Sequence, residues 1–187
     1  MIDTVVPIKD ENENVKILLS KLKEVVSYDY SVVLIYDEEN LAIKNLKEEV
    51  EYSNVVFLKN KYEKGFSNAI KTGIEYINTK YFIVTMADNS DDVELSNEMI
   101  KIAESQKFDV VVPSRYMKGG KYIGGNLFKK IMSNLAGFSL CFFKKIPVID
   151  ITNNFKLFRT ECVKNLKIES DMSFDIGMEI TVKICIN

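Results

Sequence analysis

The sequence predicts an α/β fold: a mostly parallel sheet with helices on both faces. Three observations carry the prediction. Short β-rich runs alternate with helix-period apolar stripes over residues 1–113, the run at 31–36 is almost continuously apolar, and acidic residues gather directly after the runs. Alternation of this kind builds parallel sheets through helical crossovers. A strand apolar on consecutive residues needs cover on both faces.

Each element follows from its own pattern. Thr4-Val5-Val6-Pro7-Ile8 reads as a strand running into a polar loop at 9–14. Val15, Leu18, Leu19, Leu22, Val25 and Val26 then fall at the spacing of one buried helix stripe. Ser31-Val32-Val33-Leu34-Ile35-Tyr36 is the second strand, followed by a charged helix over 41–50 and a third strand, Val55-Val56-Phe57-Leu58. Phe66, Ala69, Ile70, Gly73, Ile74 and Ile77 mark another helix. The fourth strand, Tyr81-Phe82-Ile83-Val84-Thr85-Met86, runs straight into Ala87-Asp88-Asn89-Ser90-Asp91-Asp92. A helix over 93–105 leads to the fifth strand, Val110-Val111-Val112. From Ser114 onward the pattern is less regular, with a glycine-rich turn, a long apolar helix and an acidic stretch.

The composition narrows the chemistry. A chain of 187 residues fits one domain, and 47% hydrophobic with 28% charged residues suffices for a core. Twenty-five basic against 27 acidic residues give a net charge of −2, so a nucleic-acid partner is not expected. The three cysteines are scattered and form no C-x-x-C pair, which suits a reducing compartment. There is no histidine, which excludes Ser-His-Asp and Cys-His catalysis and histidine-based zinc sites. No stretch has the roughly 18–20 apolar residues needed to span a bilayer. The first residues lack the pattern of a secretion signal. A cytoplasmic chain, peripheral to the membrane at most, is expected. The apolar close at 181–187, without a helix stop, suggests that the chain is truncated there.

In open α/β sheets ligands bind beyond the carboxyl ends of the strands. Asp10 and Glu11, Asp37, and Asp88, Asp91 and Asp92 all stand at those ends. Each admits two readings, a solvated loop residue or helix N-cap, and a ligand-facing acid. Asp91 and Asp92 could simply start the helix near Val93, whereas Asp88 follows its strand almost directly. Neither a G-x-G-x-x-G nor a P-loop motif follows the first strand. Phosphate charge would instead be neutralised by a divalent cation, Mg2+ or Mn2+, held on carboxylates.

With these residues in view, the sequence resembles a known family. Val6-Pro7-Ile8-Lys9-Asp10-Glu11-Asn12-Glu13-Asn14-Val15 is similar to the V-P-x-Y-N-E-x-E-N-I opening of glycosyltransferase family 2, in its dolichol-phosphate-mannose-synthase-like branch. The resemblance continues through Val33-Leu34-Ile35-Tyr36-Asp37, Gly65-Phe66-Ser67-Asn68-Ala69-Ile70-Lys71-Thr72-Gly73 and Met86-Ala87-Asp88-Asn89-Ser90-Asp91-Asp92. It closes with Pro113-Ser114-Arg115-Tyr116 and Asp150-Ile151-Thr152-Asn153-Asn154-Phe155-Lys156. It implies a GT-A, Rossmann-like fold in a single glycosyltransferase domain over 1–187, with a nucleotide-sugar half at 1–113 and an acceptor-side half at 114–187.

The resemblance also implies site residues. Pro7, Glu11 and Asp37 would contact the nucleoside, and Asp88 would belong to the D-x-D metal and diphosphate motif. The first acid of that motif is Met86 here, and a thioether is a poor ligand for a hard cation. Either Asp88 works with Asp91, Ser90 or water, or metal binding is weakened. Lys9 and Asp10 likewise replace the family's Tyr-Asn. Arg115 is either a surface arginine or a guanidinium that pairs with the acceptor phosphate. Lys118, Lys129 and Lys130 would add charge, and Ser133 and Asn134 hydrogen bonds. The apolar segment at 129–145, between two lysine pairs, reads equally as an interfacial helix or a buried one with snorkelling ends. Asp150 and the turn at 153–156 match a stretch that lines the acceptor side, and Glu179 resembles a later acidic position.

The implied activity is inverting transfer of a sugar from a nucleotide-diphosphate sugar to a polyprenyl phosphate. Two alternatives stand beside it. One is transfer to a glycan or protein hydroxyl with Asp150 as general base, and the other is nucleotide-sugar binding without turnover. The missing histidine favours a phosphate acceptor, which is already anionic and needs no base.

Overall fold

The computed structural model describes residues 1–9, 12–120, 139, 146–171 and 173–186. Strands β1 (Ile2–Ile8), β2 (Tyr30–Tyr36), β3 (Val55–Lys59), β4 (Tyr81–Val84), β5 (Val110–Val111) and β6 (Lys156–Arg159) form one sheet in the order β3-β2-β1-β4-β6-β5. β1 pairs in parallel with β2 and with β4, and β2 with β3. β6 runs antiparallel to both β4 and β5, between which it is wedged.

Side chains alternate between the two faces, as the pleat requires. Val6, Leu34, Ile83 and Leu157 enter one apolar core, covered by α1 (Asn12–Val25), α2 (Leu41–Glu49) and α4 (Ser96–Gln106). Val5, Val33, Phe82 and Phe158 enter the other, covered by α3 (Phe66–Tyr76), α5 (Thr160–Lys164) and α6 (Ile176–Ile186). The stripe expected on α1 is the one that is buried, at Val15, Leu18, Leu19 and Leu22. α2 is capped by Asn40, whose side chain accepts from the Ile43 N–H at 2.9 Å.

Several boundaries differ from the sequence expectation. β4 ends at Val84 rather than Met86, because the Met86 N–H donates to the Asp91 side chain at 2.8 Å. The helix expected from Val93 begins as a 3-10 turn, Val93–Leu95, before α4 proper. The turn expected over 153–156 closes one residue early, and Lys156 opens β6. Most of the apolar segment at 129–145 lies outside the described residues. No described helix is long and apolar enough to cross a membrane.

α3 lies tight against β1, and Gly73 is the reason it fits. A Cβ at that position would sit 2.6 Å from Val5 Cγ1 and 3.1 Å from Ile35 Cδ1. Ala is the better helix former by about 1 kcal/mol, but overpacking a rigid core costs about 1–3 kcal/mol. Gly73→Ala is therefore expected to destabilise the fold by up to about 2 kcal/mol, measured as a lower denaturant midpoint.

Candidate functional site

The parallel strands all deliver their carboxyl ends, and the loops that follow, to one edge of the sheet. At the ends of β1 and β2 lies a cleft of about 160 Å³, lined by Ile8, Lys9, Tyr36, Asp37, Glu38 and Lys64 among others. Pro7, half-buried in β1, sits opposite Ile35 of β2. Asp37 is half-buried and exposed to that cleft. Glu11 lies outside the described residues. A larger cavity of about 260 Å³ opens on the α3 and α5 side, lined by Ile74, Glu75, Val163 and Lys164 among others. None of the strand-end acids lines it.

Asp37 is oriented by Asn60, a residue that sequence reasoning missed. Asn60 Nδ2 donates to Asp37 Oδ1 at 2.7 Å and to the Glu63 carbonyl at 3.1 Å. Its Oδ1 accepts from the Tyr62 N–H at 3.1 Å and from the Thr72 hydroxyl at 3.0 Å. All four capacities of the buried amide are thereby used, which fixes its direction. The available signal was its place: Asn60 follows a strand directly, as the acids do.

After β4 the chain turns through Asp88, Asn89, Ser90 and Asp91. Asp88 is exposed, and its Oδ1 accepts from the Ser90 N–H at 2.9 Å. Asn89 takes the left-handed conformation, φ 58°, and its amide donates to the Asn14 carbonyl at 2.9 Å. Asp91 turns back towards the strand, where its Oδ2 accepts from the Thr85 hydroxyl at 2.9 Å and the Met86 N–H at 2.8 Å. It is therefore a brace for the loop rather than a cap for the following helix. Burial pushes its carboxyl above the usual range, the two hydrogen bonds oppose this, and the charges of Asp88 and Arg115 both reach it. Asp88, Asp91 and Arg115 thus share one electrostatic neighbourhood.

Among the described residues no three His, Cys, Asp or Glu side chains converge as a metal site. A cation here would rest on Asp88, with Ser90 and Asp91 beside it, and on the phosphates of its ligand. These are hard oxygen donors, and one or two carboxylates with substrate phosphates suit Mg2+. The Met86 thioether does not add to that set.

Arg115 follows β5 and is held by Asp150. Its backbone N–H and Nε both donate to Asp150 Oδ2, at 2.9 and 2.8 Å. Its Nη2 donates to Asp150 Oδ1 at 2.6 Å and to the Thr152 hydroxyl at 3.2 Å. The Arg115 side chain keeps 32% of its surface exposed, whereas that of Asp150 has none. Such a fork-on-fork pair fixes a guanidinium plane. Asp150 differs in this from the base considered above, since both its oxygens are occupied and it faces no solvent. Lys129, Lys130, Ser133 and Asn134 lie outside the described residues, and Lys118 is exposed.

Behind this pair lies Lys156, expected in the turn at 153–156 and found at the head of β6. Lys156 is fully buried, and its ammonium donates to the carbonyls of Ile151 and Gly177, each at 2.8 Å, and to Thr181 Oγ1 at 2.9 Å. Burial pulls its pKa down to about 7, against the raising influence of Asp150.

Glu179 serves the fold rather than the cleft. It accepts from the Glu169 and Ser170 N–H groups, each at 2.7 Å, from the Ser170 hydroxyl, and from Lys183 at 2.6 Å. Burial alone would raise its pKa, but these donors more than reverse that and hold it at about 2.

Three comparisons bear on this arrangement. A family model described as glycosyl transferase family 2 matches residues 3–167. A dolichol-phosphate mannosyltransferase of Pyrococcus furiosus is 25% identical, over 97% of this chain and 52% of its own length. Glucosyl-3-phosphoglycerate synthase of Mycobacterium tuberculosis, solved with Mn2+, UDP and phosphoglyceric acid, superposes with a TM-score of 0.72 at 10% identity. That match covers 96% of this chain and 62% of the other. The same enzyme solved with Mg2+ and UDP gives 0.71 at 10% identity, over 96% and 63%. The neighbours share the GT-A fold, and the chain spans about half the length of the mannosyltransferase it matches.

The Glu179 contacts have a measurable consequence. A carboxyl whose folded pKa lies below its unfolded value stabilises the fold above the unfolded value and loses that contribution as pH falls towards 2. Glu179→Gln should therefore flatten the stability profile between pH 5 and 2 by about 2 kcal/mol, read from denaturant unfolding at each pH.

Proposed function

The chain belongs to glycosyl transferase family 2, and on that premise we propose that it passes a sugar, with inversion, from a nucleotide-diphosphate sugar to a polyprenyl phosphate. The observation that carries the acceptor assignment is Arg115. Its guanidinium is locked in one plane by a buried carboxylate, keeps 32% of its surface exposed, and acts on the same Asp91 as Asp88 does. A pre-oriented guanidinium beside a metal-binding aspartate suits two anions brought together, one leaving and one attacking. The name of the Pyrococcus relative supports a phosphate on a lipid carrier.

In this reading Pro7, Glu11 and Asp37 hold the nucleoside, with Asn60 fixing the Asp37 carboxylate. Asp88, with Ser90 and Asp91, would hold Mg2+ or Mn2+, which supplies charge stabilisation to the departing diphosphate when bound. Arg115 places the acceptor phosphate behind the anomeric carbon, and Lys129, Lys130 and Ser133 extend that anion site. A phosphate oxygen gives an electron pair to the anomeric carbon as the carbon–oxygen bond to the diphosphate breaks. The bonding pair leaves on the diphosphate, so configuration inverts and no proton has to move. Asp150 needs no base strength in this scheme; it positions Arg115. A polyprenyl acceptor sets the work at a membrane surface, with the chain peripheral on the cytoplasmic face.

The test is transfer of radiolabel from nucleotide sugars to polyprenyl phosphate by the intact-length protein with Mn2+. Lipid-linked product is expected. Asp88→Ala should lower turnover on the order of 100-fold and weaken metal-dependent nucleotide binding. Arg115→Ala should raise the acceptor KM by roughly tenfold or more while leaving donor affinity unchanged. Nucleotide binding that persists with no transfer to any acceptor would replace this reading with that of a binding module.

A further inference from the structure

The geometry points to Lys156 as a positioning residue that holds the Asp150–Arg115 pair in register with α6. β6 sends Phe158 into the core beneath α5 and α6, and Lys156, two residues earlier, points the same way. An apolar side chain is the ordinary occupant of such a site, yet a lysine stands there with no exposed surface. Burying a charge costs desolvation free energy, so the burial by itself does not account for it.

What the ammonium joins does account for it. Three acceptors surround Nζ, one for each of its hydrogens: the Ile151 carbonyl at 2.8 Å, the Gly177 carbonyl at 2.8 Å and Thr181 Oγ1 at 2.9 Å. Thr181 Oγ1 passes its own hydrogen to the Gly177 carbonyl at 2.7 Å, so it is left to accept from the lysine. Ile151 lies between Asp150 and Thr152, the two residues whose side chains take the Arg115 guanidinium. The ammonium therefore grips the backbone in the middle of the Arg115 receptor and ties it to the first turns of a helix. At residue 177 of α6, a glycine, a Cβ would lie 2.5 Å from Asn154 Oδ1. The titratable groups that reach Lys156 are Asp150, Cys185 of α6 and Arg115.

The consequence for transfer rests on the acceptor reading above; the structural consequence does not. In Lys156→Met, a side chain of similar length fills the core but holds neither carbonyl. The residues 150–152 then lose their tie to α6, and the Arg115 plane loosens. Two readouts separate this from a general loss of stability. The first is the Arg115 Nε–H resonance in 15N spectra, expected to be protected in the parent protein and to exchange rapidly in K156M. The second is kinetic: an acceptor KM raised on the order of tenfold, with the affinity for nucleoside diphosphate and Mn2+ within twofold of the parent.

Thr181→Val removes one acceptor and no charge, so it reports the same change in milder form if K156M does not fold. A variant that keeps the protected Nε–H and the parent acceptor KM would overturn the inference, as would a parallel loss of nucleotide affinity. If the parent protein transfers to no acceptor, the function proposed above falls, and the Arg115 resonance alone decides the role of Lys156.

Discussion

Burial of the central strands on both faces is the constraint from which the remaining structure follows. Val5 and Val6 are adjacent in β1 yet enter opposite cores, and Val33 and Leu34 do the same in β2. Neither face of the sheet can meet water, so helices occupy both, and each crossover must begin and end beyond a strand. The polar loops are thereby gathered at one edge. Asp37, Asp88 and Arg115, which follow three different strands, all stand at that edge for this reason.

Polar side chains that would be costly to bury then become structural members of that edge. Asn60, Asp91, Asp150 and Lys156 are each satisfied by several partners, and each holds something other than itself. Asn60 aims Asp37, Asp91 bends the Asp88 loop, Asp150 fixes Arg115, and Lys156 secures the backbone beside Asp150. The exposed charges available to a ligand are few, but they stand on supports that cannot easily rotate, which is what pre-organisation requires.

Elements whose pattern is local were legible in the sequence. The α1 stripe, the apolar β2 run and the α3 stripe declare a helix or strand period within a dozen residues, and the structure follows them. The positions of Asp88 and Arg115 were legible as well, because strand ends are. Features set by distant partners were not. Nothing within 156–159 announces a strand that pairs with residues 81–84, and the lysine at its head reads as the close of a turn. Asp91 looks like a helix start until the Met86 N–H is found to claim it. Asp150 reads in sequence as an acceptor-side acid or a general base, and is a buried anchor once Arg115, thirty-five positions away, is seen to close over it.

The reversed strand has a further consequence, for the order in which the molecule is assembled. Among the described residues β5 touches the sheet only through β6, and β6 reaches it only through β4. The parallel β1–β4 pairing already spans more than seventy residues of intervening chain, and the β4–β6 pairing spans as many again. Long loops are the slowest to close. Until residues 156–159 arrive, β5 has no strand to pair with among the described residues. β5, and with it the segment that leads to Arg115, therefore depends on two long closures in succession.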